Sequence, residues 1–156
     1  MGIDRTRQPR WPARALAALF LLYGLGKAVF AAQGKLGFPG GPTVPAEEYA
    51  TYAADMMDVT AAQWLAASNG LAGALLFLVA ASSMARRIPR PVLLPALAVA
   101  SVGIGAGMVV LVADGLLGLG VGWRWYHALL GLTVLALLAL ALRSYLRTVR
   151  RAPAAP

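Results

Sequence analysis

Four long apolar stretches divide this chain, at residues 12–32, 60–84, 92–113 and 121–142. Each has the roughly 20 apolar residues that a helix needs to cross the hydrocarbon core of a bilayer. Between them the pattern breaks in ways that fit turns and interfaces. Residues 1–11 are polar and basic, residues 33–59 form one long polar loop, and ARRIPRP and DGLLGLGVGWR are tight connections. A basic tail, residues 143–156, follows the last stretch. The pattern predicts an all-α integral membrane protein, a single four-helix transmembrane bundle spanning residues 12–142.

The long loop has two characters. Its first part, GKLGFPGGPTVP, is rich in Gly and Pro and reads as turns. Its second part, AEEYATYAADMMD, reads as a short amphipathic helix on the outer membrane face. Pro45 suits its first position, and Glu47 and Glu48 suit the positive end of its dipole. Tyr49, Tyr52, Met56 and Val59 fall roughly on one face, as a helix lying on a membrane surface requires. Thr60-Ala-Ala-Gln63 matches a capping box and sets the expected start of the second span.

Composition sharpens the class. Apolar residues make up 60% of the 156, charged residues 13%, and mean hydropathy is +0.69. A soluble domain is nearer half apolar and a quarter charged. These values exclude an ordinary soluble enzyme, a disordered tail and a soluble nucleic-acid binder. The net charge of +8 flanks the apolar stretches rather than coating one face. Eleven Arg lie on the side of the two termini, only Lys35 and Arg124 lie on the other side, and Lys27 is inside a span. The positive-inside rule then puts both termini in the cytoplasm of a bacterial cell membrane, with the loop outside. No cysteine is present, so disulfides, thiolate metal sites and thiol redox chemistry are excluded.

The N-terminus admits two other readings. The first stretch could be a signal peptide cleaved after Ala31 or Ala32, but it is long for that purpose and Lys27 interrupts it. The opening Met-Gly-Ile-Asp-Arg-Thr fits a myristoylation pattern, which adds little to four spans.

Polar residues inside spans are expensive, about 3 kcal/mol for a central Lys on insertion scales, so they mark where function would sit. Lys27 and His127 each lie about 9 Å inside a span, and Asn69 about 13 Å inside, all toward the outer side. Asp114 closes the third span on that same side. Tyr23 and Lys27 share a helix face, as do Asn69 with Gly73, and Trp123 with His127 and Gly131. Converging, these faces predict an outer pocket walled by Tyr23, Trp64, Trp123, Trp125 and Tyr126. Lys27 would pair with Asp114 or hold an anionic headgroup or a carbonyl. Asp114, His127, Glu48 and Asp55 are the candidate acid–base groups. Each also has a simpler reading: Lys27 snorkels, Trp123–His127 form an interfacial belt, and Asn69 is interhelical glue.

In the third span, Gly103 and Gly107 form a GxxxG pair that predicts close helix packing. Glu47, Glu48, Asp55 and Asp58 match no calcium loop, so no metal is assigned. No HExxH, GxSxG or P-loop pattern occurs, and no cofactor is implied.

The run LFLLYGLGKAVFAAQGKLG resembles the first helix of DoxX-like four-helix membrane proteins, where an apolar stretch leads into Gly-x-x-Lys, here Gly24 to Lys27. The layout of outer loop, RIPRP turn and late WRWYH is also similar to small uncharacterised actinobacterial membrane proteins. The resemblance implies a four-helix fold with a quinone-linked or redox role. The acidic residue often carried in the second helix of such proteins is absent here, with Asn69 near its place, which argues against carrying that role over. On the shared depth of Lys27, Asn69, Asp114 and His127 and the aromatic supply around them, the sequence predicts an enzyme or binder for an isoprenoid-like or quinone-like amphiphile, using proton transfer such as isomerisation or cyclisation if catalytic. The alternatives are an accessory subunit of a larger membrane complex and a transporter subunit. Expected partners are the lipid bilayer, a lipophilic small molecule, and a membrane protein or second copy, with no nucleic acid.

Overall fold

The computed structural model describes residues 10–39, 41, 43–44, 58–119 and 123–151. The amphipathic helix expected after Pro45, with Glu47, Glu48, Tyr49, Tyr52, Asp55 and Met56, lies outside the described residues.

Four helices follow one another: α1 (Trp11–Ala32), α2 (Val59–Ala81), α3 (Arg90–Leu117) and α4 (Trp125–Arg151). Each is long and apolar enough to cross a membrane. Proline in the first turn opens α1 and α3, where the missing N–H has no helical acceptor anyway. The second span does not begin with the expected capping box. Asp58 is the cap, its carboxylate accepting from the N–H groups of Thr60 and Ala61 at 2.9 and 3.2 Å. A carboxylate at this place caps two orphan donors and suits the helix dipole. That frees Gln63 for other work. After α2, Ser82 accepts from the Met84 N–H and starts a short 3₁₀ turn, Ser83–Arg86, that leads into α3.

Helices α3 and α4 outrun their expected ends. Helix α3 continues past Asp114 to Leu117 and stops at Gly118, whose φ of 66° is left-handed. Helix α4 starts at Trp125 and carries on through the basic segment to Arg151. The Gly/Pro-rich part of the loop contains a small antiparallel hairpin, β1 (Leu36–Gly37) with β2 (Thr43–Val44), in the register Leu36 to Val44.

Helix α1 packs chiefly on α2 and α3 chiefly on α4, and α1 against α4 joins the two pairs. Leu16 of α1, Phe77 of α2, Leu93 and Leu97 of α3, and Val134, Leu137, Leu138 and Ala141 of α4 form one buried cluster. It sits in the half of the bundle nearer the arginines. Toward the loop end the close contacts are pairwise. A Cβ on Gly70 would stand 2.7 Å from the Gly24 Cα, so α1 and α2 cross backbone to backbone. A Cβ on Gly115 would stand 2.9 Å from the Ala128 N, a similar approach of α3 and α4.

Gly103 and Gly107 do not make the close contact expected of them within this chain. A Cβ built on either meets nothing within 4 Å. The packing face of α3 runs through Leu93, Leu97 and Gly115 instead. Val99 and Val102, near the glycine pair, are 74% and 73% exposed.

Candidate functional site

At the loop end of the α1–α2 pair, polar groups of two helices meet the hairpin. Tyr23 and Lys27 are one turn apart on α1. The Lys27 amine donates to the Gly37 carbonyl at 2.9 Å and lies 5.7 Å from the centre of the Tyr23 ring. Gln63 of α2 is 1% exposed. Its amide donates to the same Gly37 carbonyl at 3.1 Å and to the Lys35 carbonyl at 2.8 Å. Phe38 lies parallel to Tyr23, with ring centres 6.1 Å apart. Gly26 makes room for it: a Cβ there would come within 2.3 Å of the Phe38 ring. Residues 35–38 are thus tied to both helices.

The electrostatic state of Lys27 is unusual. An ammonium between two packed helices is normally compensated by a carboxylate. Here it has one neutral carbonyl and one aromatic face, and no ion pair forms among the described residues. The expected pairing with Asp114 is not made. Asp114 is partly buried in the last turns of α3, and its backbone carbonyl accepts from the Gly118 N–H at 2.9 Å.

A second group gathers at the start of α4. The Nδ1 atom of His127 accepts from the Arg124 backbone N–H at 2.9 Å. This is the reach-back half of a capping box, usually supplied by Glu or Gln at that position. Trp123 meets the His127 ring edge-on with centres 5.0 Å apart, and Tyr126 lies against it at 4.3 Å. With Nδ1 as acceptor, Nε2 carries the proton of the neutral ring. Among the described residues, no hydrogen bond or ring contact joins this group to the Lys27 group.

Other expected pocket residues stand apart. Trp64 is 49% exposed. Asn69 is also exposed, outside the buried face of α2 that Gln63, Ala67, Gly70 and Ala74 form. Glu48 and Asp55 lie outside the described residues. Among the described residues, no three of His, Cys, Asp and Glu come together as a metal site.

Gln63, Gly37 and Phe38 were not expected in a site. Gln63 carried a legible signal: it leads the series Gln63, Ala67, Gly70, Ala74, whose spacing marks one inward face of α2. The roles of Gly37 and Phe38 depend on how the loop folds back and leave no mark in the local sequence.

Comparison with protein-family models, with curated proteins and with solved structures gave no significant match.

Proposed function

We propose that this chain is a multi-pass protein of the bacterial cell membrane, with both termini cytoplasmic, that binds an isoprenoid-like or quinone-like amphiphile at its outer end. Lys27 receives the acidic or carbonyl head of that ligand, and Tyr23 and Phe38 contact the adjoining apolar part. The observation that supports this most is the uncompensated amine. Among the described residues, Lys27 spends one of its three N–H donors on Gly37 and pairs with no carboxylate. A partly buried charge of that kind gains by acquiring an anionic or strongly accepting partner. The broad apolar exposure of all four helices supports the membrane setting. Asp114 and His127, with Glu48 and Asp55 from the loop, are the groups through which proton transfer on the bound ligand would run.

The test is native mass spectrometry of the full-length protein released from mild detergent, with lipid-extract analysis beside it. The expected result is a discrete bound amphiphile that is retained in Lys35→Met and lost in Lys27→Met, with both variants still helical and monodisperse. Bulk phospholipid alone in the wild type, or equal retention in Lys27→Met, overturns the reading. A second protein mass in place of a small molecule turns it to the accessory-subunit alternative.

A further inference from the structure

We infer that two copies of this chain pair in the membrane along the outward face of α2, through their Asn69 amides. The inference rests on the membrane setting proposed above. Gln63, Ala67, Gly70, Ala74, Phe77 and Ala81 are the buried residues of α2, and they define the face turned to the rest of the bundle. At 100° per residue, Asn69 lies ~120° around the helix from Gln63, at the centre of that face, and Leu65 and Ala72 lie roughly opposite it. Its side chain is exposed and has no hydrogen-bond partner among the described residues. It sits near the middle of a 23-residue helix, ~15 Å along the axis from Val59. That is the depth at which water is absent. The side chain of Asn is too short to reach an interface from there, unlike that of Lys.

An amide in hydrocarbon therefore requires a partner that brings both a donor and an acceptor to its own depth. Lipid tails bring neither. A second copy brings both. An amide is self-complementary, each NH₂ donating to the other's carbonyl oxygen. A two-fold axis along the membrane normal puts the two Asn69 residues at equal depth without further adjustment. The neighbours permit the approach. Ser68 and Ala72 form a small-xxx-small pair beside Asn69, and Leu65 and Ala72 share its face; all three are exposed.

The absence of native cysteine makes the test direct. The full-length protein is placed in lipid vesicles as single-cysteine variants, oxidised, and read for disulfide-linked dimers. Leu65→Cys and Ala72→Cys are expected to cross-link, whereas Leu71→Cys, exposed at a similar depth on another face, is not. Energy transfer between labelled chains in the same vesicles gives the dissociation constant. Asn69→Leu is expected to raise it roughly three- to thirty-fold, the range of interhelical polar contacts in membranes, and Asn69→Gln to restore much of it. Vesicle flotation and the amphiphile bound at Lys27 should not change in Asn69→Leu, which separates this inference from the reading it rests on. A wild type that stays monomeric at all protein-to-lipid ratios, cross-linking equal at Leu71, or an unchanged constant in Asn69→Leu overturns it.

Discussion

Lys27 of α1 and Gln63 of α2 donate to one and the same oxygen, the Gly37 carbonyl, at 2.9 and 3.1 Å. A single loop carbonyl thus joins the two helices that the loop connects. The two donors are not equivalent. Gln63 is fully buried and its amide is spent on Gly37 and Lys35. The amine keeps further donors and turns toward the Tyr23 face. Gln63 accordingly acts as the structural tie, and Lys27 is the group to which the proposed function assigns the ligand.

Gln63→Leu tests that division. It removes both hydrogen bonds and leaves the Lys35 carbonyl without its side-chain donor. A buried polar group left unpaired costs about 1–3 kcal/mol. The expected outcome is a loss of about 2 kcal/mol in unfolding measured in detergent, with faster hydrogen exchange at residues 35–38. Exchange in the apolar middle of α1 should not change. Lys27→Met should leave exchange at residues 35–38 much closer to wild type, because Gln63 still holds both carbonyls.

The glycines give a sharper contrast. Gly70→Ala puts a methyl 2.7 Å from the Gly24 Cα, where backbone rather than a flexible side chain must move. Overpacking of this kind costs about 1–3 kcal/mol or more. Gly103→Ala and Gly107→Ala meet open space. For these, the better helix propensity of Ala, up to about 1 kcal/mol, is the main term within the chain. Unfolding in detergent should therefore show Gly70→Ala clearly destabilised, and the other two neutral or slightly stabilised.

His127 can be separated from a purely catalytic role by choice of substitute. Its Nδ1 caps the Arg124 N–H at the start of α4. His127→Ala removes the cap and should cost about 1 kcal/mol. His127→Gln supplies another acceptor of similar reach and should recover most of that stability. If His127 also transfers a proton on a bound ligand, turnover stays lost in the Gln variant while the unfolding midpoint returns.

The four helices were legible because apolar runs of that length have few other uses. Their ends were less so. Hydropathy marks what hydrocarbon would accept, whereas a helix ends where its hydrogen bonds end. Helix α3 therefore runs beyond Asp114 to the left-handed Gly118, and α4 runs on through Arg143 and Arg147. Motif spacing is a weak guide to contacts within the chain for the same reason. Thr60 to Gln63 fits a capping box, yet Asp58 two residues earlier is the stronger acceptor and takes the role. Gly103 to Gly107 fits a packing motif, yet the tightest crossing pairs single glycines, Gly24 and Gly70, on separate helices. No local pattern can announce such a pair, because each residue's reason lies in the other helix. Of the expected pocket residues, Tyr23 and Lys27 meet across one turn, as their i,i+4 spacing implies. Asn69 turns outward because the small residues around it, Ala67 and Gly70, claim the inward face.

Orientation is the remaining prediction, and it decides which leaflet supplies the ligand. Eleven Arg flank the helices on the side of the termini, against Lys35 and Arg124 on the other. Such a bias puts the Arg-rich side in the cytoplasm. Lys35 and Arg86 are both exposed at opposite ends of α2, and Arg147 is exposed near the end of α4. In spheroplasts, an impermeant maleimide should label Lys35→Cys without permeabilisation, and Arg86→Cys and Arg147→Cys only after it. Labelling of Arg147→Cys from the outside, with Arg86→Cys protected, would mean an odd number of crossings between them and refute the four-span topology. Inversion of all three would keep the topology and reverse the protein. The Lys27 amine would then face the cytoplasmic leaflet, and the amphiphile lost in Lys27→Met would have to be one that this leaflet contains.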